Sequence, residues 1–576
     1  MSNRTCTRRW LALLCFAALV TTSLAQAPKP ADTLIVNAKI YTVNAKHPWA
    51  EALAIRGETI AAVGTRVEIE KLRGPDTRVL DAGGRLVLPG FTDCHIHFIS
   101  GSISLGQVHL EGTKTLAEIQ ERVKAYAAAH PGTGWILGRG WVYSTFGAEA
   151  LPHKKYLDEI APDRPVFLEG YDGHTYWANS KALELAGINK NTPNPPNGII
   201  VRDATTGDPT GALKEAASDL VDKRVPQMTG TQKLEALAAG LREANRQGLV
   251  RVHSAGGDFE VLNYYKSLRS EGKLTLRMTI AYFLNPPELK PETMKLLEAT
   301  RREYDDEWIS TNAVKTMLDG VVEAHTAAML TPYSDDASLS GKMFWDAAKY
   351  KAAIKDIDAH GFQIFTHAIG DGAVRLALDA YEGAAKANPK SAGRPRIEHI
   401  ETINAADVPR FGKLGVIASM QPLHAYPDEN TLTVWARNAG PERVSRAFGW
   451  QSIAKTGGGL AYGSDWPVVT LNPWEGLQNA VTRETTEGTP KGGWVPAERV
   501  TLTQAIEAYT LGAAFAGRRE RTEGSLQPGK VADVIVVSQD LFAIDPHAIS
   551  KTQVLTTIVG GKTVYESAEW KAARKK

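Results

Sequence analysis

The chain has 576 residues, of which 43% are hydrophobic and 23% charged, with a formal net charge of +2 and three cysteines. These ordinary globular proportions exclude a disordered, collagen-like or disulfide-scaffold protein. A mean hydropathy of -0.23 excludes a multi-span membrane protein, and the near-neutral balance leaves no basic footprint for nucleic acid.

At the N-terminus, Arg4, Arg8 and Arg9 precede an apolar stretch from Trp10 to Val20. Ser23-Leu24-Ala25 then offers a small-x-small cleavage site before Gln26. This is the pattern of a secretory signal peptide over residues 1–25. The apolar stretch is too short to span a bilayer, so no stable membrane anchor is expected after the leader is removed. The mature protein is expected in the periplasm or outside the cell. Arg8-Arg9 also resembles a twin-arginine signal, so Sec and twin-arginine export both stay open. Residues 1–25 hold three arginines and no acids, and losing them moves the net charge from +2 to -1. They also hold Cys6 and Cys15, which leaves Cys94 alone and rules out an internal disulfide.

Residues 26–88 read as β-structure, with runs such as Thr33–Thr42 and Ala52–Ile55 and a turn at Gly57-Glu58 into Thr59–Gly64. Residues 516–576 read the same way, through Asp533–Val537 and Thr556–Tyr565 with a hairpin signal at Gly560-Gly561. Neither end has enough strands for a sheet of its own, so one small composite β-sandwich domain built from both termini is expected. Residues 89–515 alternate short apolar runs with helical stretches, which argues for βα units. Candidate strands are Val87–Phe91, Val250–His253, Leu276–Phe283, Ala313–Leu318, Gln363–Thr366, Arg396–Glu398, Val416–Met420 and Leu460–Gly463. Eight such strands fit an α/β fold of the (β/α)8 TIM-like barrel type. A segment at about 101–235 separates the first two and reads as an inserted subdomain, with one clear strand-like run at Pro165–Gly170.

The sharpest chemical feature is Phe91-Thr92-Asp93-Cys94-His95-Ile96-His97. Alternate residues of a strand face one way, so His95 and His97 present two imidazoles to one side, and Cys94 between them is expected to point away. His367, His399 and Asp465 also fall at the C-terminal ends of candidate strands, where barrel active sites lie. Four histidines and one aspartate so placed suit a divalent ion, Zn2+ or similar, as one ion or two. Bound metal acidifies water towards neutrality, and a neighbouring carboxylate takes and returns the proton.

These motifs resemble the metal-dependent amidohydrolase superfamily, in the branch called amidohydrolase family 3, which includes N-substituted formamide deformylases. The resemblance runs through Leu88–His97, Tyr171-Asp172-Gly173-His174, Val314–Gly320, His367–Asp371, Arg396–His399, Gly463-Ser464-Asp465 and Gly524–Asp533, over nearly the whole mature chain. It implies that His95 and His97, with Asp465, hold the more buried metal and that His367 and His399 hold a second. It implies that Lys315 is carboxylated to N6-carboxylysine and bridges the ions. The implied reaction is attack of metal-activated hydroxide on an amide-like carbonyl, with Asp465 as general base and acid.

His174 in the insertion is a candidate donor to the substrate carbonyl. Trp141, Tyr143 and Trp466 are candidate substrate contacts, with Trp135, Phe146 and His424 beside them, and His253 is placed near the mouth. The leading reading is a hydrolase of small-molecule amides at non-peptide C–N bonds. A peptidase-like hydrolase of N-acyl amino acids or dipeptides would need a cation for the carboxylate, with Arg139, Arg202 or Arg251 available. An exported binding protein without turnover is the third reading. A monomer and a homo-oligomer both stay open.

Overall fold

Eight strands pair in parallel and in chain order to form the barrel wall. They are β1 (Phe91–Ile96), β2 (Leu249–Ser254), β3 (Arg277–Phe283), β4 (Ile309–Met317), β5 (Gln363–Ala368), β6 (Arg396–His399), β7 (Ile417–Met420) and β8 (Gly459–Tyr462). The structure, a computed structural model, describes residues 29–573 apart from 150, 258 and 392, so the leader lies outside the described residues. Helices such as Gly230–Arg246, Ala347–Ala359 and Asp371–Ala387 cover the barrel. Parallel strands buried on both faces read as near-continuous apolar runs, which is why Gln363–Thr366 and Val416–Met420 read as strands in the sequence. Among the described residues no helix is long and apolar enough to cross a membrane.

The regular ladder does not run between β1 and β8. That seam is closed by the Asp465 amide donating to the His95 carbonyl at 2.7 Å and the His97 amide donating to the Trp466 carbonyl at 2.8 Å. The buried Asp93 carboxylate also receives the Ser464 amide at 3.0 Å and the Ser464 hydroxyl. The approach is close: a Cβ on Gly463 would lie 2.4 Å from the His95 nitrogen. The segment that carries Asp465 is thus stitched directly onto the strand that carries His95.

Both chain ends contribute to a β-sandwich. One sheet has the order Thr59–Gly64, Ala52–Arg56, Thr33–Val36, Arg78–Asp81. The other has the order Lys562–Glu566, Val554–Val559, Val534–Val537, Leu86–Pro89, Lys39–Tyr41, Trp49–Ala50, so it interleaves the two termini. Ile35, Leu53 and Leu80 of the first sheet pack with Val87, Val534 and Ile558 of the second in a single apolar cluster. Gly560 and Gly561, both at positive φ, turn the terminal hairpin.

The expected first barrel strand, Val87–Phe91, is divided. Leu86–Pro89 belongs to the sandwich and Phe91–Ile96 to the barrel, with Gly90 as the crossing point. A Cβ there would lie 2.2 Å from Val250 Cγ1, so only glycine lets the chain pass. Between β1 and β2 the insertion forms a six-stranded sheet ordered Gly198–Arg202, Pro209–Glu215, Thr175–Ala178, Val166–Gly170, Ile136–Trp141, Val108–His109. Two of the strands the sequence does not signal are interrupted by glycines, at Gly138-Arg139-Gly140 and Thr210-Gly211-Ala212, and Thr175–Ala178 and Val108–His109 are too short to show a pattern.

Candidate metal centre

The C-terminal ends of the barrel strands converge on Asp465. Its Oδ1 lies 3.1 Å from His97 Nε2 and 3.4 Å from His95 Nε2, and has no hydrogen-bond partner. Its Oδ2 lies 3.5 Å from His424 Nε2 and 3.8 Å from His399 Nδ1. Donor atoms of His95, His97 and Asp465 stand within 4.8 Å of one another, and so do those of His399, His424 and Asp465. Asp465 and His399 both sit at positive φ, 62° and 74°. Such backbone costs roughly 1–3 kcal/mol per non-glycine residue and marks side chains aimed by their surroundings.

The donors are in the right form for a metal. Burial, then the charge of Lys315, holds His95 well below the usual imidazole range, and burial does the same for His367 and His399. These rings therefore keep a free lone pair at neutral pH. Burial pushes Asp465 up, but His95, His97 and His424 more than offset it and keep the carboxylate ionised. A buried carboxylate oxygen without a partner, beside the neutral His95 ring, fits a divalent ion.

A chain of buried contacts supports His95 from beneath. Its Nδ1 meets Glu398 Oε2, and Glu398 Oε1 accepts from Arg396 Nε at 2.6 Å. Arg396 is completely buried, donates to the Cys94 carbonyl at 2.6 Å and lies 3.4 Å from the centroid of Phe365. A carboxylate on the far nitrogen of a ligating histidine fixes its tautomer and orientation. On His399, Nδ1 lies 2.8 Å from Gln421 Oε1, on the side that also faces Asp465.

Lys315 ends 3.3 Å from His95 Nε2 and 3.5 Å from the Ala255 carbonyl, and is not paired with Asp319. Burial brings its ammonium down to about 8. Asp319 instead receives the amides of Ala328, Ile369 and Gly370, so it braces the loops after β4 and β5. His367 meets His399 edge-on, with ring centroids 4.5 Å apart, but its Nε2 is 3.2 Å from the Gly320 carbonyl.

A cavity of about 480 Å³ opens above these residues, between the barrel mouth and the insertion. His174 reaches it from the insertion, with its ring centroid 5.6 Å from that of His367. Burial opposes charge on His174, but Glu215, 2.9 Å from Nδ1, overcomes this and raises it to about 9. The wall is acidic, with Glu169, Asp172, Glu215, Glu323 and Glu401. The sequence reading named none of these acids as site residues. Asp172, Glu323 and Glu401 come from loops, and Glu169 and Glu215 from strands of the insertion whose placement over the barrel mouth no local pattern reveals.

Several expected contacts fall elsewhere. Trp141 is fully buried in the insertion's own core and donates Nε1 to the Leu168 carbonyl. Tyr143 is also buried there, its hydroxyl on Asp172 and Thr175 at 2.7 and 2.8 Å. Trp466 packs against Gly101 and Phe98. None of the three lines the cavity, because each ring is consumed by packing. Trp135 and Phe146 likewise pack inside the insertion.

Cys94 keeps clear of the metal donors, as expected, yet does not point out of the barrel. Asp93 and Ile96 of β1 face Val252 and Ser254 of β2, so β1 carries one extra residue there and the alternation breaks. The thiol meets Arg396 Nη1 at 3.0 Å and lies 3.7 Å from His253 Nδ1. Burial pushes it up to about 11, which suits neither nucleophile nor ligand. His253 is not at the mouth either: a Cβ on Gly517 would lie 2.8 Å from its Nε2. The preceding residue, Ala516, accepts from Gln363 at the start of β5, so this is the opposite end of the barrel. Arg251 pairs with the buried Glu523, and Arg202 binds carbonyls of its own subdomain. Arg139 does line the cavity, but Glu169 and Glu111 lie 3.4 and 3.7 Å from it.

A model of the amidohydrolase family matches residues 78–565. The protein LONG AFTER FAR-RED 3 of Arabidopsis thaliana is 34% identical, over 93% of this chain and 92% of its own. The N-substituted formamide deformylase of Arthrobacter pascens is 29% identical, over 93% of this chain and 98% of its own. A solved structure of an uncharacterized metal-dependent hydrolase from Pyrococcus horikoshii OT3 superposes with a TM-score of 0.70 at 26% identity, over 89% of this chain and 99% of that one.

Proposed function

The chain belongs to the amidohydrolase family of metal-dependent hydrolases, and from that premise we propose that it cleaves small-molecule amides at C–N bonds other than peptide bonds. The observation that carries this is Asp465, an ionised and buried carboxylate on the cavity wall with one oxygen facing His95 and His97 and the other facing His399 and His424. His95, His97 and Asp465 Oδ1 would hold a divalent ion, and nitrogen and oxygen donors in an open site favour zinc. Such an ion, when bound, supplies Lewis acidity that acidifies water and polarises a carbonyl.

The remaining roles fall to the chain itself. Asp465 Oδ2 takes the proton of the attacking water and passes it to the departing nitrogen. The His174 imidazolium, held by Glu215, donates to the carbonyl oxygen as charge develops there. Carboxylation of Lys315 would place a carboxylate beside His95, and intact-mass measurement of the native protein reads it as one added CO2. The arginines of the leader and the Ser23-Leu24-Ala25 site support export, and N-terminal sequencing of the mature protein tests it.

A substrate bearing a free carboxylate fits this cavity poorly. Acids outnumber cations on the wall, even with Glu323 pushed well above the usual carboxylate range by burial, and the one arginine there already has two carboxylates beside it. That observation favours neutral or cationic amides over N-acyl amino acids, and the formamide deformylase relative accords with it. The test is a rate panel of N-substituted formamides, N-acyl amines and N-acyl amino acids with the zinc-loaded protein. Turnover of the first two groups is expected. Turnover confined to N-acyl amino acids, or ion binding with no hydrolysis at all, overturns the reading. Asp465→Asn should abolish turnover, and near-normal kcat in that variant refutes the base assignment.

A further inference from the structure

The two oxygens of Asp465 face different histidines. Oδ1 is shared by His95 and His97, whereas Oδ2 is approached by His399 and His424. His424 comes from the short turn Pro422–Ala425 that follows β7. Its side chain is 9% exposed and its Nε2 has no hydrogen-bond partner, although it lines the cavity. Its ring lies parallel to that of His399, at 4° and 5.5 Å between centroids.

The spacing suits coordination. Ligands about 2.0–2.1 Å from a tetrahedral ion stand about 3.3 Å apart. The His424–Asp465 gap is 3.5 Å and the His399–Asp465 gap 3.8 Å. Behind His424, Glu401 Oε1 lies 3.6 Å from Nδ1, while Glu401 Oε2 is anchored by Trp435 Nε1 at 2.7 Å. A carboxylate behind a histidine is the usual support of a metal-binding imidazole. The contact an ion competes with is Gln421 Oε1 on His399 Nδ1. His367, the more obvious partner for His399, is turned towards the Gly320 carbonyl and Asp319.

We propose that His399, His424 and Asp465 Oδ2 form a second, weaker site for Zn2+, and that filling it shuts the enzyme off. The ion occupies the carboxylate oxygen that otherwise takes the proton. Excess zinc is therefore a brake built from the catalytic carboxylate and a histidine outside the family's motif set. The inhibition rests on Asp465 serving as proton acceptor; the ion count does not.

The experiment titrates the full-length protein carrying one ion with Zn2+. Ions per chain are measured by elemental analysis after gel filtration, and turnover is followed on the best substrate of the panel. A second ion is expected to bind as turnover falls at least about tenfold. His424→Gln and His424→Asn should keep the first ion, which also shows that they are folded. They should lose the second and need at least about tenfold more zinc for half-inhibition, each referred to its own uninhibited rate. His367→Gln should still take the second ion. The proposal is overturned if the parent never takes a second ion, or if both His424 variants still take it. Loss of the second ion in His367→Gln but not in the His424 variants overturns it as well. If the second ion binds through His424 yet turnover persists, the site stands, the brake does not, and Asp465 is not the base.

Discussion

Replacing Glu398 by glutamine tests whether the buried contacts beneath His95 set the metal centre. The substitution keeps shape and volume, so no cavity forms, and what is lost is the charge between Arg396 and His95. Glu398 and Arg396 are both completely buried and meet at 2.6 Å. Removing one partner of such a pair costs roughly 3–5 kcal/mol, because the other charge is left uncompensated. Arg396 keeps the Cys94 carbonyl and the face of Phe365, so the lower end, about 3 kcal/mol, is expected. Loss of the carboxylate behind His95 should also weaken ion affinity by about 10–100-fold. Urea unfolding of the metal-free protein followed by tryptophan fluorescence reads the first effect, and competition against a chelator reads the second. Stability within about 0.5 kcal/mol of the parent, together with ion affinity within about twofold, would refute the reasoning.

Three other outcomes are expected. Gly101→Ala places a Cβ 2.2 Å from Trp466 Cε3, so it should cost about 1–3 kcal/mol and weaken ion binding by displacing the Asp465 segment; a chelator titration identical to the parent's shows that the segment does not move. Trp141→Phe should cost about 1 kcal/mol by losing its bond to Leu168 while leaving KM unchanged, and a large rise in KM would return this ring to the substrate. Stripping the ion should lower stability by about 2.7 kcal/mol relative to a hundredfold excess over Kd; an unchanged unfolding midpoint means that the ion is not preferentially held by the folded chain.

The barrel was legible because strand periodicity and direction act locally: His95, His399 and Asp465 each fall at or just past the C-terminal end of a short strand-like run, and parallel strands carry such ends to one rim. His424 drew notice only as a pocket residue, because the turn that aims it at Asp465 follows no repeating pattern. Glu401 reaches the site from a loop for the same reason, and Glu215 from an insertion strand whose docking over the mouth is not a local property. Cys94 shows the limit of alternation, since one extra residue in β1 reverses the side it faces. The aromatic residues of the insertion misled because a buried ring and a pocket ring have the same composition, and only packing distinguishes them.

The interleaved sheet has a consequence in time. Leu88 pairs with Ile535, while Leu86–Pro89 leads directly into the strand that carries His95. During synthesis at about 5–20 residues per second, that partner emerges roughly 20 to 90 seconds after Leu88. For that interval an apolar strand edge waits unpaired in the nascent chain. A protease or a chaperone thus meets a substrate that the finished molecule no longer displays.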